Sequence, residues 1–344
     1  MNEVVGNGLD GIEAKKLRVA VIGIGAMGRN HVRVYSELDN VELVAIADSN
    51  QIELEKLGKK YKIKTYTDYK EMVATERIDV VSVVVPTMMH HKIAIDCLNA
   101  KANVLVEKPI ALNIAEAREI IETAEKNGVK LTIGHIERFN PAVQELKRRI
   151  NLGEIGKVYE IVVKRIGPFP ARIRDVGVVI DLAVHDIDIM RYLLDTEPMR
   201  IYAETEKRIH TDHEDLLCAM IKFRNDVICN LDINWLTPLK KRKIYVTGEN
   251  GMFTVDYINQ DLIFHENSSK DKNGKDNKFL ITEGRMIKYN IHKKEPLRLE
   301  LEHFVNCVLN NTEPLVSGED GLRALELANK IIESANKNEV IKDE

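Results

Sequence analysis

From Leu17 onward the chain alternates between two hydrophobic rhythms. Leu17–Ile22 (LRVAVI), Val41–Ala47 (VELVAIA), residues 80–85, Asn103–Val106 and residues 130–134 are short, apolar and β-branched, the pattern of strands buried on both faces. Between them apolar positions recur every three or four residues. Met27, His31, Val34, Tyr35 and Leu38 mark one side of a helix over 26–38, and the spacing predicts further helices near 51–60, 88–99 and 114–126. Pro86 stops the valine-rich strand, and Asn127-Gly128 signals a helix end. Strands separated by helices of this length build βαβ units and a parallel sheet.

Past residue 134 the texture changes. The pattern predicts a helix over Pro141–Asn151, a strand over 157–165, a Gly/Pro loop over 167–177 and a strongly apolar helix over 178–194. From 201 to 291 short strands alternate with turn signals at Arg224-Asn225-Asp226, Gly248-Glu249-Asn250-Gly251 and Asn273-Gly274, which predicts long antiparallel hairpins. Residues 268–278 are polar enough for an exposed hairpin tip or a disordered loop. Helices over 297–310 and 319–335 close the chain. The expected organisation is a flexible leader (1–16), a nucleotide-binding α/β domain (17–137) and a substrate-binding and oligomerisation domain of α+β type (138–344).

Composition narrows the function classes. The 344 residues are 44% hydrophobic, which suits packed domains, and 50 Lys+Arg against 54 Asp+Glu leave a net charge of −4. That balance argues against non-specific binding to nucleic acid or to a membrane surface, and no apolar run reaches the ~18 residues of a membrane span. The polar N-terminus lacks the apolar core of a secretory signal, so a cytoplasmic location is expected. Cys97, Cys218, Cys229 and Cys307 are widely spaced and form neither a zinc pair nor a disulfide framework. No metal site is expected: His210 to Glu214 holds ligand-type residues but reads as a polar turn. The basic run Lys240 to Lys243 reads as a solvated sheet edge.

The first candidate chemistry sits between the first strand and the first helix. Gly23-Ile24-Gly25-Ala26-Met27-Gly28 is a G-x-G-x-x-G loop, with Gly23 for the turn, Gly25 for close approach to a pyrophosphate and Gly28 for helix–strand packing. Asp48, followed by Ser49, ends the second strand twenty positions past Gly28. There a carboxylate accepts hydrogen bonds from ribose hydroxyls and repels a 2′-phosphate. NAD is therefore the expected cofactor.

Two further turns lie at carboxyl ends of strands, where open α/β sheets bind ligands. Pro86-Thr87 offers a backbone wall and a helix cap, and His90 or His91 would reach cofactor or substrate. Glu107-Lys108-Pro109 places a lysine at the mouth of a buried strand, its direction fixed by the proline. Such a lysine can donate to a substrate hydroxyl and favour an alkoxide-like transition state. Within 178–194, Asp181 and His185 are four apart and share a helical face. The carboxylate would raise the imidazole's pKa and orient it as a general base.

Those residues together resemble the glucose–fructose oxidoreductase / inositol dehydrogenase / MocA family, from Leu17 to about residue 335. The resemblance implies an N-terminal Rossmann domain plus a C-terminal α+β domain with a large, mostly antiparallel open sheet that pairs subunits into a homodimer or homotetramer. It implies oxidation of a secondary alcohol on a sugar or cyclitol, with Lys108 and His185 catalytic and Asp181 beside them. Gly23, Gly25, Ala26, Met27, Gly28, Asp48, Ser49, Pro86, Thr87, His90, Glu107 and Lys108 would then hold NAD. The strings 134–141 (GHIERFNP) and 165–177 resemble members acting on UDP-sugars, which implies oxidation of the 3-hydroxyl of UDP-N-acetylglucosamine. Arg165, Arg172 and Arg174 are the expected diphosphate ligands, guanidinium groups being suited to that task, with Arg138 and Asn140 contacting the sugar or the nicotinamide end. Three alternatives stand beside this: an inositol or free-sugar dehydrogenase, an NAD-dependent glycosidase of the same family, and a cofactor-sensing regulator, which would need none of Lys108, Asp181 and His185.

Overall fold

The structure, a computed structural model, describes residues 16–170, 176–209, 212–268 and 283–343. The polar segment expected as a hairpin tip lies almost wholly outside these residues, as do 1–15.

Six strands form the first sheet: β1 (Leu17–Ile22), β2 (Val41–Ala47), β3 (Lys64–Tyr66), β4 (Val80–Val83), β5 (Asn103–Val106) and β6 (Leu131–Ile133), all parallel, in the order β3-β2-β1-β4-β5-β6. Strand alternation sends successive residues to opposite faces. Val19 and Val21 pack with α1 (Ala26–Ser36) and α2 (Gln51–Tyr61), whereas Ala20 and Ile22 pack with α4 (His90–Asn99) and α5 (Ile114–Asn127). Asparagines cap two of these helices: Asn50 and Asn113 accept from the backbone N–H groups of Glu53 and Glu116. The short β3 and the helix α3 (Tyr69–Thr75) that follows it were not expected from the sequence pattern.

The second sheet has nine strands, in the order β14-β13-β12-β11-β7-β10-β9-β8-β15. They are β7 (Val158–Pro168), β8 (Pro198–Glu206), β9 (Leu216–Phe223), β10 (Ile228–Asn234), β11 (Leu236–Gly248), β12 (Gly251–Asp256), β13 (Asp261–Asn267), β14 (Glu283–Lys288) and β15 (Ile341–Lys342). β7 and β10 pair in parallel, and the other described neighbours pair antiparallel. Its inner row, including Ile161, Val163, Ile233, Ile244 and Val246, packs against α6 (Pro141–Asn151), α7 (Val184–Leu194) and α9 (Gly318–Lys337). The opposite face leaves Tyr159, Tyr202 and Met220 exposed.

The final helices join the two halves. α8 (Pro296–Asn310) sets Leu301, Phe304 and Val305 into the core beside α1, and α9 places Leu322 and Leu325 against the first sheet and Leu327 and Ile331 against the second. A Ser317–Asp320 capping box starts α9. The carboxyl ends of β1, β2, β4 and β5 therefore face the start of α7 and Arg242, midway along β11, across a cleft of about 900 Å³. Among the described residues no helix is long and apolar enough to cross a membrane.

Candidate active site

At the sheet's edge of the cleft the glycine loop is built as its spacing demands. Gly23 has φ +89°, and a Cβ there would stand 2.2 Å from the Val84 carbonyl oxygen; one at Gly28 would stand 1.9 Å from that of Gly23. Gly25 differs, because a Cβ there would meet nothing within 4 Å. It is the N-cap of α1 with no side-chain cap, so the first-turn N–H groups stay free beside open space that suits a pyrophosphate. Asp48 Oδ2 accepts from the Ile24 N–H (2.7 Å) and Oδ1 from the Asn50 N–H (2.8 Å), tying loop to strand end while the carboxylate stays on the cleft wall beside Ser49. Ala26, Met27, Pro86 and Thr87 line the same wall, so the residues present fit NAD.

His90 does not belong there. Its ring is buried, with Nδ1 2.8 Å from the Pro109 carbonyl and Nε2 2.9 Å from that of Val85. Whichever nitrogen carries the proton donates to one of them, so the ring fastens two strand-end turns together instead of reaching a ligand. His91 instead pairs with Glu119 on the surface (2.8 Å).

Glu107, Lys108 and Pro109 line the cleft, with a cis Lys108–Pro109 bond. Burial works to raise the Glu107 carboxyl, but the hydrogen bond from His31 (3.1 Å) and the charges of His31 and Lys108 outweigh it and hold the group below the usual range. Gly134 leaves room for it: a Cβ there would approach Glu107 Oε2 to 2.8 Å. Lys108 Nζ donates to both the carbonyl (2.7 Å) and Oδ1 (2.8 Å) of Asp181.

That contact corrects the expected Asp181–His185 pair. Residues Val179–Ala183 form a π-helical turn before α7, and the extra residue of a π turn breaks the stacking of positions four apart. Asp181 turns to Lys108, and His185 keeps Nδ1 enclosed without a hydrogen-bond partner. The expected rise in the His185 pKa is reversed. Enclosure, then the charges of Lys108, Arg165 and Arg242, hold it well below its ordinary value. The imidazole is neutral at physiological pH and lines the cleft, its ring edge-on to the buried His135 at 6.2 Å between centroids.

Two of the arginines expected at the substrate, Arg165 and Arg138, have other tasks. Arg165 binds Asp186 through two bonds (2.6 and 2.9 Å) and Glu137 through a third. Arg138 binds Asp188 (2.6 Å), Asp320 and the Leu315 carbonyl. Asn140 caps α6 and donates to the Tyr257 carbonyl. All three are buried and none lines the cleft. A buried guanidinium demands carboxylate partners, and α7 supplies them from its inward face as Asp186 and Asp188. Arg172 and Arg174 lie outside the described residues.

The sequence reading missed Arg242, which lines the cleft beside His185 and Asp181, together with Ile136, Ile180 and Leu182. The basic run is no sheet edge, since β11 lies between β12 and β7. Strand alternation was the available signal: Ile244 and Val246 point into the core, so Arg242 continues their row. Among the described residues no cluster of three His, Cys, Asp or Glu side chains could hold a metal.

Comparison with known proteins agrees with this layout. Residues 17–135 match the family model described as "Oxidoreductase family, NAD-binding Rossmann fold", and residues 147–342 match "Oxidoreductase family, C-terminal alpha/beta domain". The chain is 27% identical to UDP-N-acetylglucosamine 3-dehydrogenase of Acidithiobacillus ferrooxidans, over 91% of this chain and 95% of that protein. It is 26% identical to myo-inositol 2-dehydrogenase of Thermotoga maritima, over 90% and 93%. A solved structure of the Acidithiobacillus enzyme superposes with a TM-score of 0.83 at 25% identity, covering 94% of this chain and 98% of that one.

Proposed function

The chain belongs to the glucose–fructose oxidoreductase / inositol dehydrogenase / MocA oxidoreductase family and is an NAD-dependent enzyme, and from that premise we propose that it oxidises the 3-hydroxyl of UDP-N-acetylglucosamine to the 3-keto sugar. The observation that carries the reading is the meeting of Lys108, Asp181 and His185 in one cleft with the glycine loop and Asp48. Its substrate is taken from similarity to the UDP-N-acetylglucosamine 3-dehydrogenase.

NAD, when bound, supplies the ring that accepts a hydride from the carbinol carbon. Gly25 and the start of α1 would hold its phosphates, and Asp48 its adenosine ribose. Lys108 has three N–H donors, two of them engaged by Asp181, which leaves one for the substrate oxygen. That cation steadies negative charge as it develops on the oxygen. His185, uncharged, takes the hydroxyl proton at Nε2, the ring nitrogen that is not enclosed, and the ketone remains. Asp181 acts by holding Lys108 in place.

Similarity to a myo-inositol 2-dehydrogenase at nearly equal identity favours a second reading, oxidation of a free polyol by the same groups. Absorbance of reduced nicotinamide on mixing protein and NAD with UDP-N-acetylglucosamine, myo-inositol or glucose separates the two. Parallel mixtures with 2-oxoglutarate reveal a cofactor that stays bound. A signal with the UDP-sugar alone supports the proposal; a signal with a polyol alone replaces its substrate. The bare outer face of the second sheet, where Tyr202 and Met220 are register neighbours and both exposed, supports pairing of two copies through that face.

A further inference from the structure

β7 and β11 lie side by side, and their inward rows change character where they leave the core. Along β11 the row runs Val246, Ile244, Arg242; along β7 it runs Ile161, Val163, Arg165. Arg165 and Arg242 are direct register partners, two like charges on adjacent strands. Cross-strand like charges repel, so something must offset them. For Arg165 the offset is complete, with three hydrogen bonds to Asp186 and Glu137.

Among the described residues Arg242 has no such partner. Among the described residues its only ion pair is Glu137, at 3.8 Å, an oxygen already bound by Arg165 at 3.3 Å. Its side chain is one-third exposed, toward the cleft. Lys240, exposed at the surface but near enough to interact with Arg242, Arg165 and Glu137, adds another positive charge, and Asp181 is already taken by Lys108. Three cations thus share the two carboxylates of Asp186 and Glu137 at this end of the cleft. The walls here include Val176, Ile180 and Leu182, apolar side chains that strengthen any ion pair formed between them.

We infer that Arg242, backed by Lys240, is the anion-reading element of the substrate site, binding a phosphate or carboxylate carried by the sugar being oxidised. The inference deepens the proposed function and rests on its placement of the sugar beside His185. A guanidinium with its donors free matches either oxyanion in bidentate fashion. The two sources of that chemistry are the diphosphate of a nucleotide sugar and the carboxylate of a uronate.

The test compares Arg242→Gln, Lys240→Gln and, as control, Lys241→Gln on the outward face. Substrates are UDP-N-acetylglucosamine (diphosphate), glucuronate (carboxylate) and N-acetylglucosamine (neither). Calorimetric titration of the NAD-loaded protein with inorganic pyrophosphate and with malonate gives a readout independent of turnover. Arg242→Gln is expected to lower kcat/KM for the anionic sugar relative to the neutral one by roughly ten- to hundredfold, mainly through KM, and to weaken the matching anion similarly. Lys240→Gln should do the same more weakly, and Lys241→Gln should leave the ratio in place. If UDP-N-acetylglucosamine turns over and Arg242→Gln leaves its KM unmoved, the inference falls and the proposed function stands. If UDP-N-acetylglucosamine is inert but an anion binds through Arg242, the proposed substrate falls and the anion site stands. Absence of both anion binding and Arg242-dependent selectivity overturns the inference.

Discussion

Glu300 offers a sharp test of how the two halves pack. It sits on α8 with 1% exposure, and neither carboxylate oxygen has a hydrogen-bond partner. Burial, then the nearby charge of Glu107, pushes its pKa well above the usual 4.5, so the folded protein holds Glu300 protonated where the unfolded chain has lost the proton. More protons bound when folded means that stability falls as pH rises from the unfolded value toward the folded one. The slope for one such group approaches about 1.4 kcal/mol per pH unit. Glu300→Gln removes the titration while nearly keeping the shape. Reversible urea unfolding between about pH 5 and about pH 7 should therefore show wild type losing stability relative to Glu300→Gln, by up to roughly 3 kcal/mol across the range. Glu300→Leu removes the stranded polar group as well and should gain about 1–3 kcal/mol at neutral pH. Parallel pH curves for wild type and Glu300→Gln would refute the reasoning, because they require Glu300 to be ionised and partnered in the folded state.

Three other outcomes follow from the site. Arg165→Met strands Asp186 and Glu137 and should cost about 3–5 kcal/mol in urea unfolding; a substrate ligand would instead raise KM with stability kept. Asp48→Ala removes two loop-holding bonds and the proposed ribose acceptor, so the Kd for NAD, read by calorimetry, should rise roughly tenfold or more while discrimination against NADP narrows. Because His185, the proposed base, is held neutral, oxidation should lose rate only below the ordinary histidine range, where the imidazole gains its proton. Arg242→Gln, removing one of the cations that depress it, should move that acid limb toward neutrality in kcat/KM profiles.

What the sequence revealed was local. A strand, three glycines and a helix are contiguous, and their geometry leaves few choices, so the tight glycine turn and the places of Asp48 and Glu107-Lys108-Pro109 on the cleft wall were legible as written. The partner of a charged side chain was not. Lys108 and Asp181 are 73 positions apart, Arg138 and Asp188 are 50, and Arg165 and Asp186 are 21. Nothing in composition tells an arginine facing a diphosphate from one facing a carboxylate across the core. The π turn was equally hidden, since apolar spacing cannot distinguish 3.6 residues per turn from a single wider turn, and that turn redirected Asp181. Arg242 was within reach of strand alternation, but a run of four basic residues drew attention to its charge instead of its facing.

The central claim is that hydride leaves C3 of a UDP-sugar in the cleft formed by Lys108, Asp181 and His185. UDP-N-acetylglucosamine carrying deuterium at C3 tests it in one measurement, mass spectrometry of the nicotinamide cofactor after a single turnover. The account predicts reduced cofactor one mass unit heavier, with the transfer lost in Lys108→Ala and His185→Ala proteins that still bind NAD. Reduced cofactor without deuterium, or transfer undiminished in those variants, would contradict it.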